Sequence, residues 1–417
     1  MQQLDVIVIG AGHAGLAISY HLKDRSLSHV VFERGKIGET WRSQRWDSFK
    51  LNSANKKNSL PGYTYSGPDG DAFDSAISFA NVLSDYAAKF QLPVREHARV
   101  VSVEKPDDHF TVTVDENGTM QTYRSANVVI ASGNQNAKKV PPFAANISPA
   151  IMQLHTLEYR NAAQLPEGAV LVAGSAQTGC QIAEDLLDAG RKVYLASSMV
   201  GRLPRRYRGR DIIDWLSDLG FFLLLTSAVT DPKMLSARVP QLSGVGTRGK
   251  TVSLQSIARD GGTILGKIEN ADATTLYLQP NAAQHVQFAD GFSKMAKDMI
   301  DGFIVKNQID APPAETDPND EPDPSATCAT NITQLNLAEH NITSIIWATG
   351  FDGDFSYLKV ARDGNGQPKH TNGIGEVPGL YVLGFPWLRM RKSGMIFGIV
   401  DDAGFIAEQL LSSRPAK

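Results

Sequence analysis

Residues 4–15 of this chain read LDVIVIGAGHAG, and this stretch decides the fold class. The apolar run at 4–9 is typical of a buried parallel strand. Gly10, Gly12 and Gly15 follow at G-x-G-x-x-G spacing, ahead of a segment with helical character. In such a loop the first glycine allows the tight turn, the second lets the backbone approach a pyrophosphate, and the third lets helix and strand pack closely. The stretch therefore predicts a Rossmann-like dinucleotide-binding unit whose helix N-terminus faces phosphate.

An acidic residue after the next strand supports this interpretation. Residues 29–32 predict a second strand, which ends in Glu33 at about the spacing where a carboxylate accepts a hydrogen bond from a ribose hydroxyl. A strand–turn–helix unit with no ligand is the alternative. The residues predicted to bind this first dinucleotide are Gly10, Gly12, His13, Ala14, Gly15, Glu33 and Arg34.

A second glycine loop, GSAQTG at residues 174–179, repeats the pattern in the middle of the chain. An apolar strand is predicted before it at 169–173, and a helix after it at 180–187. Ala176 replaces the middle glycine and adds a methyl group where the backbone would approach phosphate. Two such loops in one chain predict two nucleotide-binding domains that hold two cofactors.

The strand after this second loop indicates which nicotinamide cofactor is used. It is predicted at 192–196 and ends in Ser197 and Ser198 rather than in an acid, which favours a 2′-phosphate over a free 2′-hydroxyl. Arg202 and Arg205 follow, and arginine matches phosphate oxygens in a fork, although a basic run can equally form a solvated loop. The sequence therefore favours NADPH, with NADH as the alternative. The predicted contacts are Gly174, Ser175, Gln177, Thr178, Gly179, Ser197, Ser198, Arg202 and Arg205.

Composition excludes several classes of protein. The 417 residues suffice for two or three domains, and 41 basic against 44 acidic side chains leave a net charge of −3, which gives no charge argument for nucleic acid. Cys180 and Cys328 form no C-x-x-C pair, so neither a disulfide framework nor a metal site is expected. The N-terminus lacks a signal-peptide pattern, and the apolar run at 221–225 is far shorter than a membrane span. A cytoplasmic protein is the expectation.

Four further segments resemble a known superfamily. Predicted strands at 127–130 and 342–347 each lead into A-[ST]-G, as in two-domain flavoproteins that bind FAD and NAD(P)H. The stretches GLYVLG (379–384) and KSGMIFGIVDDA (392–403) resemble the final strand and helix that complete the FAD domain of that superfamily.

This resemblance implies an α/β fold with two Rossmann-like dinucleotide-binding domains. The FAD domain would be discontinuous, formed by residues 1–155 and 351–417, and the NAD(P)H domain would span 156–350, with a helical or irregular insertion at about 211–335. The resemblance adds five predicted cofactor contacts, namely Ala131, Gly133, Thr349, Gly350 and Gly384.

Within the superfamily the chain resembles class B flavin-dependent monooxygenases, namely the flavin-containing monooxygenases and bacterial relatives of the plant YUCCA enzymes. The run GETWRSQRWDSFKLNS (38–53) resembles their flavin-proximal segment and implies that Trp41, Arg42 and Trp46 border FAD. The run LHTLEYRN (154–161) resembles the end of their fingerprint, although the preceding F-x-G is absent.

The family resemblance implies a reaction with O2 and a small-molecule substrate. NADPH would reduce FAD, O2 would form a C4a-(hydro)peroxyflavin, and one oxygen atom would enter the substrate by N- or S-oxygenation or by a Baeyer–Villiger or oxidative decarboxylation step. Asn52 is the candidate catalytic donor, with an ordinary turn asparagine as the alternative. For His155 we favour packing or positioning over catalysis, because a lone histidine is a weak catalytic signal.

Other functions on this scaffold remain open. A disulfide reductase would need a redox-active cysteine pair, which the sequence lacks. A flavin oxidase, an FAD/NAD(P)H oxidoreductase without oxygen insertion and a nucleotide-sensing flavoprotein stay as alternatives, and a homodimer is undecided. In the middle of the chain we predict a turn at Asp290–Gly291, an exposed loop at 311–326, and a helical stripe that is more often core than substrate pocket, formed by Phe292, Met295, Met299 and Phe303.

Overall fold

The structure, a computed structural model, describes residues 2–246 and 248–412, and its first sheet is built around the strand of the first glycine loop. That strand, β1, lies between β2 and β6, and all three are parallel. Strands β4 and β5 extend the sheet from β6 as antiparallel neighbours. In chain order this part contains β1 (Gln2–Ile9), α1 (His13–Asp24), β2 (His29–Phe32), α2 (Glu39–Ser43), α3 (Ala76–Lys89), β3 (Val94–Arg95), β4 (Ala98–Glu104), β5 (Phe110–Glu116), β6 (Thr119–Ile130) and β7 (Ala137–Lys138).

The middle of the chain forms a second parallel sheet around the second glycine loop. Its strand order is β13–β10–β9–β17–β8, and every residue of β9 is buried, as its unbroken apolar sequence requires. The elements are β8 (Met152–His155), β9 (Ala169–Ala173), α4 (Gln177–Asp188), β10 (Val193–Ala196), β11 (Arg206–Tyr207), β12 (Arg210–Asp211), α5 (Ile212–Asp218), α6 (Lys233–Ser236), α7 (Leu254–Arg259), β13 (Thr263–Leu265), β14 (Ile268–Ala271), β15 (Thr275–Leu278), α8 (Ala282–Asn307), β16 (Gln334–Asn336) and β17 (Ile342–Trp347).

The end of the chain returns to the first sheet. Strand β21 pairs in parallel with β6, and α9 packs against α1, so the first sheet contains strands from both ends of the chain. Strand β18 pairs with β7, so the two segments in which the chain passes from one sheet to the other lie side by side. The last elements are β18 (Phe351–Asp352), β19 (His370–Thr371), β20 (Ile374–Gly375), β21 (Leu380–Val382) and α9 (Ile399–Ser412). The predicted α/β class is confirmed, and the two parallel sheets are consistent with two Rossmann-like units.

Two domain boundaries differ from the sequence-based ones. Strand β8, which ends at His155, pairs with β17 in the second sheet, so the boundary after 155 was placed too late. Strand β13 pairs with β10, so residues 263–265 belong to the second sheet and not to an insertion. Both strands are short, and their membership depends on pairing partners distant in sequence.

The longest helix corrects a third expectation. Helix α8 runs unbroken through Asp290 and Gly291, where we predicted a turn. The apolar periodicity on both sides of this pair outweighs its local turn preference. The 311–326 segment is irregular and largely exposed as predicted, but Asp320 within it is buried beside Arg202 and Lys297.

Candidate active site

A cavity of about 740 Å³ is lined by residues from both domains. The two glycine loops, the segment after β2 and the region between β10 and α5 all contribute to its wall. Of the predicted site residues, those that line the cavity are Gly10, Gly12, His13, Ala14, Glu33, Arg34, Trp41, Trp46, Asn52, Ala131, Gly133, Gln177, Thr178 and Gly384.

Each glycine of the first loop is needed for a different steric reason. Gly10 has φ +102°, and a Cβ there would lie 2.7 Å from the carbonyl oxygen of Ala131. A Cβ on Gly15 would lie 1.8 Å from the carbonyl oxygen of Gly10, so α1 and β1 pack too closely for a side chain. A Cβ on Gly12 would meet no atom within 4 Å, because this residue faces the open cavity. The backbone at Gly12 is therefore free to approach a ligand.

Three buried polar atoms in the cavity wall have no protein partner. They are His13 Nε2, Gln44 Oε1 and Trp46 Nε1. Buried polar atoms are nearly always hydrogen-bonded, so these atoms indicate a polar ligand in the cavity. Burial lowers the pKa of His13 to about 4, so the ring is neutral at pH 7 and does not depend on a charge partner.

Glu33 is held at the edge of the same loop. Its Oε2 accepts from the Ala11 N–H at 2.8 Å, and its Oε1 accepts from the Gly35 N–H at 3.0 Å. Burial raises the pKa of this carboxyl group, and the two backbone donors oppose that shift. The open Gly12 backbone, the unpaired polar atoms and this carboxylate fit an adenine dinucleotide such as FAD.

The second glycine loop repeats the steric design of the first. Gly174 has φ +110°, and a Cβ there would lie 2.5 Å from the carbonyl oxygen of Ala348. A Cβ on Gly179 would lie 1.8 Å from the carbonyl oxygen of Gly174. These two glycines and Ser175 lie behind the cavity wall, and Gln177 and Thr178 line it. The N-terminus of α4 therefore faces the cavity as that of α1 does.

Asn52 joins the two domains. Its Nδ2 donates to Gln177 Oε1 at 3.2 Å, and its Oδ1 accepts from Gln181 Nε2 at 2.9 Å. Its backbone carbonyl accepts from Arg205 Nη1 at 3.0 Å. Gln177 and Gln181 lie one turn apart on α4, so the amide of Asn52 has a fixed orientation in the cavity wall and is not a free turn side chain.

The two arginines predicted to bind a 2′-phosphate, Arg202 and Arg205, are paired with carboxylates, and neither lines the cavity. Arg202 is buried between Asp290 and Asp320. Arg205 is 1% exposed, forms an ion pair with Asp211, and lies with its Cζ 4.7 Å from the centroid of the Phe73 ring. Sequence spacing could not reveal these carboxylates, because two of the three are distant along the chain.

A different arginine lies next to the end of β10. Arg238 is exposed and donates to Ser198 Oγ at 2.6 Å. Ser197 is buried and its hydroxyl is occupied by Leu265 and His285, so Ser198 alone of the pair is accessible. Burial, followed by the positive charges of Lys267 and Arg238, lowers the pKa of His285.

Other predicted contacts also have structural roles. The guanidinium of Arg42, which we predicted to border FAD, bonds to Ile37 and to α3, and Arg42 does not line the cavity. Thr349 and Gly350 lie outside the cavity, where they bond to Lys139 and His155. His155 is 2% exposed, and its Nε2 donates to the Gly350 carbonyl at 2.9 Å, which supports positioning over catalysis.

Part of the cavity wall was missed or misassigned from sequence. Phe292, Met295 and Met299, which we predicted as core, line the cavity, and Met295 is 56% exposed. Most of their apolar neighbours in the wall belong to one hydrophobic cluster, which also contains Met395 and Phe397 from the C-terminal segment. We call this wall the apolar chamber; its residues are Leu203, Ile213, Leu216, Phe221, Phe222, Val239, Pro240, Leu242, Phe292, Met295, Ala296, Met299, Met395, Ile396 and Phe397.

Gln44, Arg45 and Gln181 were also missed, although a signal was available. Gln44 and Arg45 lie inside the flavin-proximal segment that the sequence singled out, and both line the cavity. Gln181 follows Gln177 by one helical turn, so it had to share a face with that residue. Tyr357 carries no such signal; its hydroxyl pairs with Ser132 Oγ at 2.9 Å through a contact distant in sequence.

No helix in the described residues is both long and apolar enough to cross a membrane. Among the same residues, no group of three His, Cys, Asp or Glu side chains is arranged to hold a metal ion. Cys180 is buried, Cys328 is exposed, and neither lines the cavity.

Comparison with known proteins agrees with this architecture. Residues 7–208 match the model of the pyridine nucleotide-disulphide oxidoreductase family. An uncharacterized CzcO-like oxidoreductase from Geobacillus kaustophilus is 30% identical over 98% of this chain and 99% of its own length. A probable indole-3-pyruvate monooxygenase, YUCCA10 of Arabidopsis thaliana, is 27% identical over 50% of this chain and 54% of its own.

Among solved structures, a flavin-containing monooxygenase from Stenotrophomonas maltophilia covers 99% of both chains, with a TM-score of 0.66 and 19% identity. That similarity concerns the fold, and the relatives in sequence give the family. The chain belongs to the family of the CzcO-like oxidoreductases, and its relatives in sequence include YUCCA-type monooxygenases.

Proposed function

We propose that this protein uses NADPH and FAD to insert one oxygen atom of O2 into a small molecule. The observation that carries the proposal is that one cavity receives the N-termini of both glycine-loop helices and the fixed amide of Asn52. This arrangement supports two dinucleotide sites that share a single reaction space. The absence of a cysteine pair from the cavity wall argues against a disulfide as electron acceptor.

Some of the cavity residues would bind the cofactors, and others would shield the reaction space from water. Backbone N–H groups at the start of α1 would bind the FAD pyrophosphate, and Glu33 would accept from a ribose hydroxyl. The start of α4 would bind NADPH. Bound FAD would supply the hydride acceptor and the group that reacts with O2. Asn52 has a second Nδ2 hydrogen to donate into the cavity, and the apolar side chains of the chamber would limit the access of water to the reaction space.

Isotope labelling tests the proposal against the oxidase alternative. Purified holoprotein is mixed with NADPH, ¹⁸O2 and methyl 4-tolyl sulfide, and the sulfoxide is analysed by mass spectrometry together with H2O2. The proposal expects one labelled oxygen in the sulfoxide and less H2O2 than NADPH consumed. An oxidase would instead release one H2O2 for each NADPH oxidised. It would leave amine, sulfide and ketone probes without ¹⁸O.

Replacing Asn52 with alanine is expected to lower the fraction of NADPH that ends in oxygenated product by about tenfold, because one donor hydrogen bond in a shielded site is worth roughly 1.4 kcal/mol or more. Product formed per NADPH oxidised is the measurement. Asn52→Ser keeps a hydrogen-bond donor, so it should recover part of the coupling, that is, of the product formed per NADPH oxidised. Equal coupling in all three proteins, at equal flavin content, would assign Asn52 to domain packing alone.

Replacing Arg238 with alanine is expected to raise the KM for NADPH about tenfold and to leave the KM for NADH unchanged, because only NADPH carries the phosphate that the guanidinium would bind. Initial rates at varied cofactor concentration give both constants. Lys233→Ala is the matched control, since Lys233 is exposed in the same region. Parallel shifts for both cofactors, or none, would show that Arg238 does not recognise the 2′-phosphate.

A further inference from the structure

Arg45 is a cation in the cavity wall that forms no ion pair with any of the described residues. Within that part of the chain its guanidinium makes one hydrogen bond, from Nη1 to the carbonyl of Gln44 at 2.9 Å. A guanidinium has five N–H donors, and a charge held away from water is costly unless it is paired. Most of the donors of Arg45 are therefore available to a negatively charged group in the cavity.

Two aromatic rings hold this guanidinium in place. Its Cζ lies 4.9 Å from the centroid of the Trp41 ring and 5.6 Å from that of Phe49. An arginine that packs on aromatic rings keeps its N–H groups free for hydrogen bonds in the plane of the guanidinium. Arg45 thus presents a fixed fork of donors, which suits a planar acceptor.

The residues on either side of Arg45 also have unpaired polar atoms. Gln44 Oε1 and Trp46 Nε1 are buried without a protein partner, and both residues line the cavity. Trp46 packs edge to face on Phe49, with centroids 4.9 Å apart, and this is a ring that Arg45 also contacts. Three consecutive residues therefore offer polar groups to one ligand, and Arg45 and Trp46 offer donors to it.

The electrostatic surroundings of Arg45 favour an anion. Burial, followed by the positive charge of Arg160, lowers the pKa of Arg45 to about 10, so Arg45 is still a cation at pH 7. The guanidinium of Arg160 donates to backbone carbonyls, among them that of Arg45 at 3.3 Å, and supplies no negative charge. An anionic ligand would relieve the unfavourable interaction between the two guanidinium groups.

Arg45 lies on the side of the cavity toward which the flavin ring of FAD would extend. Glu33, beside β4, would hold the ribose of the adenosine half, and Gly12 would contact the pyrophosphate. The flavin half then continues toward the second domain. Arg45 is on that side, because its carbonyl accepts from Arg160, which follows β8 of the second sheet. Asn52, in the same segment as Arg45, bonds to α4 of the second domain.

We propose that Arg45 stabilises the negative charge that the flavin ring gains on reduction, and that it thereby raises the reduction potential of bound FAD. Reduction adds two electrons together with either one proton, which leaves the ring an anion, or two protons, which leave it neutral. A cation beside the ring favours the anion. The proposal rests on the FAD site of the proposed function and goes beyond it, because it concerns reduction and not the later reaction with O2.

Replacing Arg45 with methionine tests the role of the charge. Methionine keeps an unbranched apolar stem and removes the guanidinium. The midpoint potential of the FAD holoprotein is measured by equilibration with a redox dye in the absence of O2. We expect the affinity for reduced FAD, relative to oxidised FAD, to fall about tenfold, which lowers the two-electron midpoint potential by about 30 mV. Equal potentials in the wild-type and Arg45→Met proteins would overturn the proposal.

Two further variants separate charge from packing. Arg45→Lys keeps a positive charge and should retain most of the wild-type potential, which a purely structural role of the guanidinium does not predict. Arg99→Met removes a positive charge from the same cavity wall, but Arg99 lies on β4, on the adenosine side, so the potential should not change. An equal decrease in Arg99→Met and Arg45→Met would show that the total charge of the cavity, and not Arg45, sets the potential.

The pH dependence of the wild-type potential tests the proposal without a variant. For each tenfold change in proton concentration, uptake of one proton with two electrons shifts the potential by about 30 mV, and uptake of two protons shifts it by about 60 mV. We expect the smaller slope between about pH 5 and 6, where reduced flavin in water is neutral. His13 takes up no proton there, because burial lowers its pKa to about 4. The larger slope would show a neutral reduced ring and would contradict the role of Arg45.

The two proposals fail in different ways, because the potential is measured without NADPH, O2 or substrate. If the Arg45→Met potential falls as expected and the wild-type protein forms no labelled sulfoxide, the role of Arg45 stands and the monooxygenase function is wrong. If labelled sulfoxide forms and the potentials are equal, the function stands and the role of Arg45 is wrong.

Discussion

A Gly12→Val protein is expected to fold normally and to be purified without flavin. A Cβ at this position has no protein atom within 4 Å, and the backbone φ of −78° suits any residue, so the fold does not require glycine here. Its methyl groups would occupy the space in which the pyrophosphate of FAD must approach the backbone. We expect the affinity for FAD to fall at least about 100-fold, or roughly 2.7 kcal/mol.

Flavin absorbance per protein and titration of the apoprotein with FAD measure this loss, and the thermal midpoint of the apoprotein checks the fold. Gly364→Val is the matched control, because a Cβ on Gly364 also meets open space and the residue lies outside the cavity. A Gly12→Val protein that retains wild-type flavin content would show that FAD does not bind at this loop.

The first glycine loop shows how far the sequence could lead. The buried strand, the three glycines and the acid after the next strand are all local in sequence. Strand β1, helix α1, strand β2 and their role in binding a dinucleotide could therefore be predicted. The same holds for β9, α4 and β17. The discontinuous first domain followed from family resemblance, because the pairing of β21 with β6 joins segments that no local pattern connects.

The errors share one physical cause, which is that partners distant in sequence decide the role of a side chain. The basic run at 202–210 suggested phosphate binding, but Asp290 and Asp320 neutralise Arg202 from elsewhere in the chain. The stripe on α8 had the periodicity of a packed helix face, and periodicity does not distinguish a core from a cavity wall. Arg238 lacked a sequence signal, since its relation to Ser198 depends on the path of an irregular segment.

Replacing Arg205 with methionine is expected to destabilise the protein by about 3–5 kcal/mol, because it leaves the carboxylate of Asp211 buried without its partner. Both side chains are almost inaccessible, with 1% and 4% exposure. The guanidinium also donates to the carbonyls of Asn52 and Ser243, so it connects the first domain to the second. Thermal and urea midpoints measure the loss.

A double-mutant cycle with Asp211→Asn separates the ion pair from the packing of the arginine stem. Asn at 211 keeps a side-chain oxygen for the Ile213 N–H, which Asp211 now caps at 2.8 Å, so α5 retains its N-cap. The double variant should lose less stability than the sum of the single ones, because neither charge is then left alone. Arg208→Met is the control: its pair with Asp301 is 24% and 38% exposed and should contribute about 0–1 kcal/mol. Equal losses for Arg205→Met and Arg208→Met would mean that Arg205 does not join the domains, and its first assignment to phosphate would have to be reconsidered.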